Sequence, residues 1–551
     1  MMDCPYKVID FSFCNKDGEA AGTLRAYWLS FRPTFIHLID RAFLLMNLYP
    51  FVLAIVATAL ANTGMAAGVS TTKWATPNIV FILADDLGVQ DVGFMGSQYF
   101  ETPNLDALAE QSLVFNQAYM YPTCSPSRAA ILTGRQSFRT GCYTVPVLER
   151  GHFEDNLFSR WTVGLEHPLY ASPLRDQGYK LIHLGKWHIV GPKPGQESNL
   201  PLRQKLTQPK NGDLSWLAAH QSAELQQYYP TGRGFHENVG GTWWGDPARG
   251  YDNGYLAPGG GYVAPFKNPF IVDKPDDEWL TDRLTSDAID FMDRHKEGPF
   301  FINLHYYAPH RPSVPRSEEA LAHFLSKEGD PVTGQGMGPL KKKREVAAYA
   351  TMVKSLDENV GRIADYLDKA GLRDNTVMIF TSDNGFNGLQ SRNNNLRGAK
   401  GYVYEGGLRV PTLINWPKNV TPGRCDEPIQ GLDLFPTFLE LAGIDDYQET
   451  LDGDSLVPLL NGEPIEERAL FWHLASTYKN PPCSIIRKGD WKLLQYLKKG
   501  NIELYNLHAD LKESHDLAIE KPEQAQLMLR ELVAWRKANS VPLPPSSVLD
   551  H

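Results

Sequence analysis

The first candidate for a catalytic segment is 124–135, whose sequence is CSPSRAAILTGR. Pro126 suits the first turn of a helix, and the residues after it favour helix continuation. The segment therefore predicts a helix that begins close to Cys124, where unpaired N–H groups and the helix dipole favour an anion. Arg128 adds donors that match a tetrahedral oxyanion, and we expect Cys124 to be an activated thiolate. The alternative is a buried structural cysteine.

Acid and amide side chains follow two apolar stretches. Residues 77–84 and 377–381 are apolar runs typical of strands buried on both faces of a parallel sheet. Ligands collect at the carboxyl ends of such strands, where acids are costly unless a cation pairs with them. The side chains just beyond the two runs supply only oxygen ligands, which favour Ca²⁺ first and Mg²⁺ second over zinc; they are Asp85, Asp86, Asp383 and Asn384. The alternative for the first two acids is a solvated turn.

Basic side chains follow two further predicted strands. Residues 179–184 lead into Lys186 and His188, and an extended chain would place these two on the same side. Residues 299–312 predict a strand that delivers His310 into a proline-rich loop, whereas His305 lies inside the strand and is expected to be packed.

These strings together resemble the signatures of the type I sulfatases, members of the alkaline-phosphatase-like superfamily. The similarity consists of C-x-P-S-R and L-T-G-R in segment 124–135, GKWH at 185–188, A-P-H-x-P at 308–312 and several strings within 396–411. In that family the cysteine is oxidised to formylglycine by a separate maturation enzyme, so the resemblance implies this modification for Cys124. The resemblance also implies Ca²⁺.

The resemblance further implies a mechanism of sulfate ester hydrolysis. The hydrated formylglycine attacks sulfur, and a metal lowers the pKa of the attacking hydroxyl with help from Asp383. His310 is expected to protonate the departing alcohol, and His188 is the expected base when sulfate is expelled. The division of acid duty between His310 and Lys400 stays open. The implied metal ligands are Asp85, Asp86, Cys124, Asp383 and Asn384, and the groups that hold sulfate and diol oxygens are Arg128, Lys186 and Lys400.

The expected fold class is α/β, with an alkaline-phosphatase-like, mostly parallel sheet sandwiched by helices over residues 74–464. From about residue 465, short strand-like pieces and a terminal helix predict a smaller α+β domain, 465–551, with a short antiparallel sheet and one helix. Thr102 and Pro103 predict the start of a helix whose apolar face extends to Leu113. Trp243 and Trp244 lie in a long loop whose aromatic residues either pack onto the body or face the substrate.

The first 70 residues predict a leader with a signal peptide around 41–67. An apolar run at 48–60 follows Arg32 and Arg41 and precedes small residues, which is typical of export to the periplasm or the medium. The run is short for a membrane span, so no stable span is expected after cleavage. An N-terminal membrane anchor is the alternative.

Composition narrows the choice of partner. The formal net charge of −10 argues against a nucleic-acid partner, and 11% aromatic residues fit a sulfated carbohydrate substrate. The six cysteines form no disulfide framework, although one bridge among Cys142, Cys425 and Cys483 is possible. Two alternative functions are a phosphodiesterase or phosphonate monoester hydrolase of the same superfamily, and an inactive carbohydrate-binding relative.

Overall fold

A computed structural model describes residues 7–14, 20–28, 76–151, 153–191, 223–247, 261–273, 278–327, 339–388 and 396–549. The predicted signal peptide at 41–67 lies outside these ranges. Within them, no helix is long and apolar enough to cross a membrane. Residues 1–73 form one unit, in which strands β1 (Lys7–Cys14) and β2 (Ala20–Trp28) pair in antiparallel fashion, and residues 74–551 form a second unit.

A nine-stranded sheet is the centre of the second unit. Its strands are β3 (Asn78–Ala84), β4 (Leu113–Tyr119), β5 (Lys180–Gly185), β6 (Glu237–Val239), β7 (Phe300–His305), β8 (Thr376–Ser382), β9 (Arg409–Asn415), β10 (Gly423–Cys425) and β11 (Ile429–Gln430). They lie in the order β10-β4-β9-β8-β3-β7-β5-β6, with β11 also paired to β4. The pairs are parallel except that β9 runs antiparallel to β4 and β8.

Helices cover both faces of this sheet. Along β3, Val80 and Ile82 enter one apolar cluster, and Ile79, Phe81 and Leu83 enter another, as the alternation of a strand requires. The helices in the described part of the second unit are α1 (Pro103–Ala109), α2 (Cys124–Thr133), α3 (Ser137–Thr140), α4 (Ala171–Asp176), α5 (Ala223–Gln226), α6 (Leu280–His295), α7 (Glu318–Ser326), α8 (Pro339–Lys369), α9 (Glu405–Leu408), α10 (Leu434–Leu441), α11 (Val457–Leu460) and α12 (Pro522–Ala538). Helices α1, α6, α7 and α8 contribute to the first cluster, and α2, α10 and α11 to the second.

A separate antiparallel sheet of four strands follows, in the order β12 (Leu470–Leu474), β13 (Cys483–Lys488), β14 (Trp491–Tyr496) and β15 (Ile502–Asn506). Ile486 and Leu493 on one face pack with Leu532 of α12. Trp472 on the other face packs with Tyr119 at the end of β4. The predicted antiparallel sheet with one helix is confirmed, while the domain boundary at 464/465, between α11 and β12, stays a prediction.

Three local expectations can be compared with the structure. The expectation that Leu113 extends the face of α1 is wrong, because Leu113 begins β4 and pairs with Ile414 of β9. Trp243 and Trp244 are buried, so these two aromatic residues pack onto the body of the protein. Cys425 and Cys483 are free thiols, so neither takes part in the bridge that was possible among the three cysteines.

Candidate active site

The predicted site residues meet where four neighbouring strands end. Strands β8, β3, β7 and β5 lie side by side and run parallel, so their carboxyl ends share one edge of the sheet. The segments that leave this edge carry Asp383 and Asn384 after β8, Asp85 and Asp86 after β3, His310 after β7, and Lys186 and His188 after β5. The strand arrangement thus explains why distant sequence strings converge.

Helix α2 places Cys124 at this edge. Its first residue is Cys124, and Thr123 before it is extended. The Cys124 Sγ lies 3.6 Å from Asp85 Oδ1 and 4.0 Å from Asp86 Oδ1. Burial raises the pKa of the Cys124 thiol to about 12, although Lys186 and Lys400 oppose this rise. The expectation of an activated thiolate is therefore wrong, because desolvation outweighs the nearby positive charges.

The carboxylates of the site are fully buried and accept hydrogen bonds from neighbouring site residues. The Asp86 backbone N–H donates to Asp383 Oδ1 at 3.2 Å, and Asn384 Nδ2 donates to Asp86 Oδ1 at 2.8 Å. Burial, with a further contribution from Asp85, raises the pKa of Asp383 to about 6. Burial acts on Asp86 in the same sense but is outweighed by Lys400, His310 and Lys186, which hold the pKa of Asp86 well below its usual range.

Two lysines neutralise the two acids that follow β3. Lys186 Nζ lies 2.5 Å from Asp85 Oδ2, and Lys400 Nζ lies 2.6 Å from Asp86 Oδ1. Lys400 Nζ also donates to Cys124 Sγ at 3.1 Å. Burial disfavours the charge on Lys400, but Asp86 and the other nearby negative groups more than offset this cost and raise the pKa of Lys400 well above its usual value. Lys400 is thus a protonated group beside the sulfur atom.

Arg128 directs its guanidinium toward protein groups. Its Nε and Nη2 donate to Asp383 Oδ2 at 3.0 and 2.9 Å, and its Nη1 donates to the Lys186 carbonyl at 2.8 Å. Nη1 also lies 3.2 Å from Nδ1 of His305, which is buried in β7 as expected. This contact of His305 with the site had no signal in the sequence, because its position within the strand favours simple packing.

The two candidate histidines are both largely buried, and contacts with named site atoms are seen for His310. His310 Nε2 lies 3.5 Å from Asp86 Oδ2, and its Nδ1 contacts the Arg311 carbonyl at 2.8 Å. Burial lowers the pKa of His310 to about 4 even though Asp86 opposes the shift. His188 is buried, with burial and Lys186 holding its pKa well below the usual value.

The chain turns sharply between β5 and His188. A Cβ on Gly185 (φ +88) would lie 2.0 Å from the His305 carbonyl oxygen, so only glycine fits there. His188 itself has φ of 55, in the left-handed region. The expectation of an extended Lys186–His188 segment is wrong, because a left-handed residue takes the chain out of the strand direction.

The possible ligand atoms at this edge of the sheet fit a hard divalent cation. The possible ligand atoms of Asp85, Asp86, Cys124 and His310 lie within 4.8 Å of one another. Asn384 Oδ1 is buried and has no hydrogen-bond partner, and Asp86 Oδ2 likewise accepts no hydrogen bond. Buried oxygen atoms without donors are what a bound Ca²⁺ or Mg²⁺ would satisfy.

Fold and site together define a hydrolase of the alkaline-phosphatase-like α/β class, with acids and lysines around a buried cysteine at a helix start. Residues 77–444 match the sulfatase family, and residues 399–537 match the C-terminal region of N-sulphoglucosamine sulphohydrolase. The chain belongs to the sulfatase family and is a sulfuric ester hydrolase. The expected family and fold are therefore confirmed.

Three relatives illustrate the similarity. A sulfatase of Formosa agariphila is 30% identical over 542 residues, which cover 89% of this chain and 94% of that protein. Rat steryl-sulfatase is 32% identical over 451 residues, covering 73% of each chain. The crystal structure of Ps i-CgsB in complex with k-i-k-neocarrahexaose matches with 29% identity and a TM-score of 0.63, covering 86% of this chain and 95% of that one.

Proposed function

We propose that this sulfatase releases inorganic sulfate from a sulfated carbohydrate, with a formylglycine made from Cys124 as its nucleophilic residue. The observation that carries the proposal is the position of Cys124 Sγ, which lies between the acids that follow β3 and Lys400 Nζ at 3.1 Å. The solved relative in complex with a neocarrahexaose supports a carbohydrate as the substrate class.

A calcium ion, ahead of magnesium, is the proposed cofactor. The proposed ligands are Asp85, Asp86, Asp383, Asn384 and the oxidised residue 124. A bound cation of this kind polarises an oxygen and lowers the pKa of a hydroxyl group. The chain itself holds the ligands in place: Arg128 donates twice to Asp383 Oδ2, and Asn384 Nδ2 donates to Asp86 Oδ1.

The cationic side chains bind and orient the sulfate group in this proposal. Lys186 and Lys400 are the cations nearest Asp85, Asp86 and Cys124, so they neutralise the charge that develops on the sulfuryl oxygens. Arg128 instead acts as a positioning residue, because three of its nitrogens already contact the Asp383 carboxylate or the Lys186 carbonyl.

Proton transfer is assigned to the two histidines. With Nδ1 of His310 donating to the Arg311 carbonyl, Nε2 is the atom that gains and loses a proton. Nε2 of His310, once it has taken up a proton, and the protonated Lys400 beside Cys124 Sγ are the two proposed donors to the oxygen of the departing alcohol. His188 accepts the proton released when sulfate is expelled, as a neutral imidazole whose pKa is held low by burial and by Lys186.

Sulfate release, measured by ion chromatography, tests this function. The protein is matured in a host that makes formylglycine and is offered sulfated glycans, aryl sulfates, choline sulfate and the corresponding phosphate esters, with Cys124→Ala as the matched control. Sulfate from a glycan, absent in the control, is expected. Release from aryl sulfates alone would overturn the carbohydrate assignment, and phosphate release without sulfate release would overturn the sulfate ester as substrate.

We also propose that the chain is exported through the signal peptide around residues 41–67. The apolar run at 48–60 with its basic residues upstream supports this proposal. N-terminal sequencing of the protein from its native cells is expected to begin close to residue 68. A mature protein that retains residue 48 would contradict cleavage and favour an N-terminal anchor.

A further inference from the structure

A loop of the C-terminal sheet reaches the active site. This loop, residues 475–482, connects β12 to β13. Asn480 Nδ2 donates to the Gly401 carbonyl at 2.9 Å, and the Gly401 N–H donates to the Pro122 carbonyl at 2.6 Å. Gly401 directly follows Lys400, and Pro122 lies two residues before Cys124. The loop is therefore anchored to the segment that carries Lys400, which is itself hydrogen-bonded to the segment that carries Cys124.

The packing of this loop leaves no room for a side chain at residue 401. A Cβ on Gly401, whose φ is +87, would lie 2.5 Å from the ring of Tyr478 and 3.1 Å from Cδ of Lys479. The loop backbone is held on its other side by a hydrogen bond from Arg150 N–H to the Thr477 carbonyl at 2.8 Å. Tyr478 and Lys479 are thus held against the residue that follows Lys400.

Lys479 is a cation without a counter-ion in the described part of the chain. Its Nζ lies 5.1 Å from the ring centroid of Tyr402 and 5.6 Å from that of Tyr478. Contact with two aromatic faces orients an ammonium group and leaves its N–H groups available to a ligand. Partial burial, followed by the charge of Lys400, lowers the pKa of Lys479, which agrees with an uncompensated cation near the site.

Lys479 is partly exposed to solvent, so a ligand at the reaction centre can reach it. The loop that carries Lys479 lies against the start of α2, and Thr123, Gly401 and Tyr478 line a small gap between the two. Thr123 is the residue before Cys124. A substrate whose sulfate ester is at residue 124 therefore has neighbouring groups within reach of the loop.

We propose that Lys479, held by Tyr402 and Tyr478, binds a second anionic group of the substrate, beside the sulfate ester that is cleaved. The preferred substrate is then a saccharide with at least two negative charges, the second being a sulfate or a carboxylate on the same or the adjoining sugar. This inference rests on the proposed function, because it assumes a sulfated saccharide at the reaction centre. An unpaired ammonium in a chain of net charge −10 attracts such a group only locally.

Binding measurements on the unreactive protein test the proposal. The full chain with unmodified Cys124 and Ca²⁺ is titrated by calorimetry with three disaccharides: one with a single sulfate, one with two sulfates, and one with a sulfate and a uronate carboxylate. The wild-type chain is expected to bind at least one of the doubly charged disaccharides about tenfold more tightly than the singly charged one, as for one charge-assisted hydrogen bond. The disaccharide that shows the preference identifies the second group.

Variants of Lys479 test whether this residue causes the preference for the doubly charged disaccharide. Lys479→Gln is expected to bring the affinity ratio close to one, Lys479→Arg to retain most of it, and Lys499→Gln, an exposed lysine at the β14–β15 turn, to leave it unchanged. Equal affinity of the wild-type chain for all three disaccharides, including no binding of any, overturns the proposal, as does a full preference in Lys479→Gln. Sulfate release by the matured wild-type enzyme is a separate readout, so failure of this subsite is distinguishable from failure of the proposed function.

Discussion

Lys400 has the most direct contact with the proposed nucleophile. Its Nζ lies 3.1 Å from Cys124 Sγ and 2.6 Å from Asp86 Oδ1, and its pKa is held above the usual value by the surrounding acids. Lys400→Ala is therefore expected to lower kcat/KM for sulfate release by about a thousandfold, the range of general acid and electrostatic contributions. Lys418→Ala, at an exposed lysine paired with Asp374, is the control. Retention of more than a tenth of the activity by Lys400→Ala would contradict a role in catalysis.

Arg128 affects the folded state through its contact with a buried carboxylate. A lysine in its place has one point charge and cannot donate twice to Asp383 Oδ2 while also donating to the Lys186 carbonyl. Arg128→Lys is expected to lower the free energy of unfolding by about 2 kcal/mol, measured by urea denaturation of the unmodified protein. Arg135→Lys is the comparison, because Arg135 pairs with a half-exposed Glu449 and such pairs contribute little. Equal losses in both variants would show that the buried geometry is unimportant.

At the scale of elements, the start of helix α1 is capped by a residue that is distant in the sequence. The Asp357 carboxylate of α8 accepts hydrogen bonds from the backbone N–H groups of Asn104 and Leu105 at 3.2 and 2.7 Å. Thr102, the predicted cap, makes no cap hydrogen bond and instead contacts Gly93 and Asp106. Sequence identified the proline start of α1 but not its cap, because the partner is a tertiary contact.

Asp357 gives this contact a pH dependence. Burial raises its pKa to about 6, so between the ordinary carboxyl pKa and pH 6 the folded chain binds more protons than the unfolded chain. The contribution of this group to the free energy of unfolding therefore falls as the pH rises through that window, by up to about 3 kcal/mol. Asp357→Asn removes the titration, so urea unfolding from pH 4 to 7 is expected to show a less negative slope than wild type. The exposed neighbour, Glu358→Gln, should retain the wild-type slope; a wild-type slope in Asp357→Asn would contradict the mechanism.

The elements of the active site differ in how far the sequence could predict them. The proximity of Asp85 and Asp383 was predictable, because each follows an apolar run and the ends of parallel neighbouring strands lie at one edge of the sheet. The left-handed backbone of His188 could not be predicted, because nothing in its own side chain requires it, and the close approach of Gly185 to the His305 carbonyl before it is a tertiary contact. The position of Lys479 beside the active site could not be predicted from the sequence either, because it depends on how the C-terminal sheet packs against Gly401.

At the scale of the whole molecule, a buried ion network joins the C-terminal sheet to the catalytic body. Lys492 of β14 lies 3.0 Å from Glu405 Oε1 and 2.8 Å from Glu513 Oε1. Tyr119, at the end of β4, donates to Glu405 Oε2 at 2.9 Å. Burial opposes ionisation of Glu405, but Lys492 outweighs it and lowers its pKa, whereas burial raises the pKa of Glu513 to about 7. One lysine thus stabilises charge on both sides of this contact.

Lys492→Met consequently tests whether the two sheets unfold together. Without the lysine, two buried carboxylates face each other, so we expect a loss of about 3 kcal/mol in the free energy of unfolding at neutral pH. Their pKa values then rise in the folded state, so the loss grows as the pH increases from 5 to 8. Near- and far-ultraviolet circular dichroism should show one transition, displaced as a whole, and Lys488→Met, at a partly exposed pair with Glu531, should move it little. If only part of the signal moved, the C-terminal sheet would unfold independently, and its loop at Gly401 would need another support.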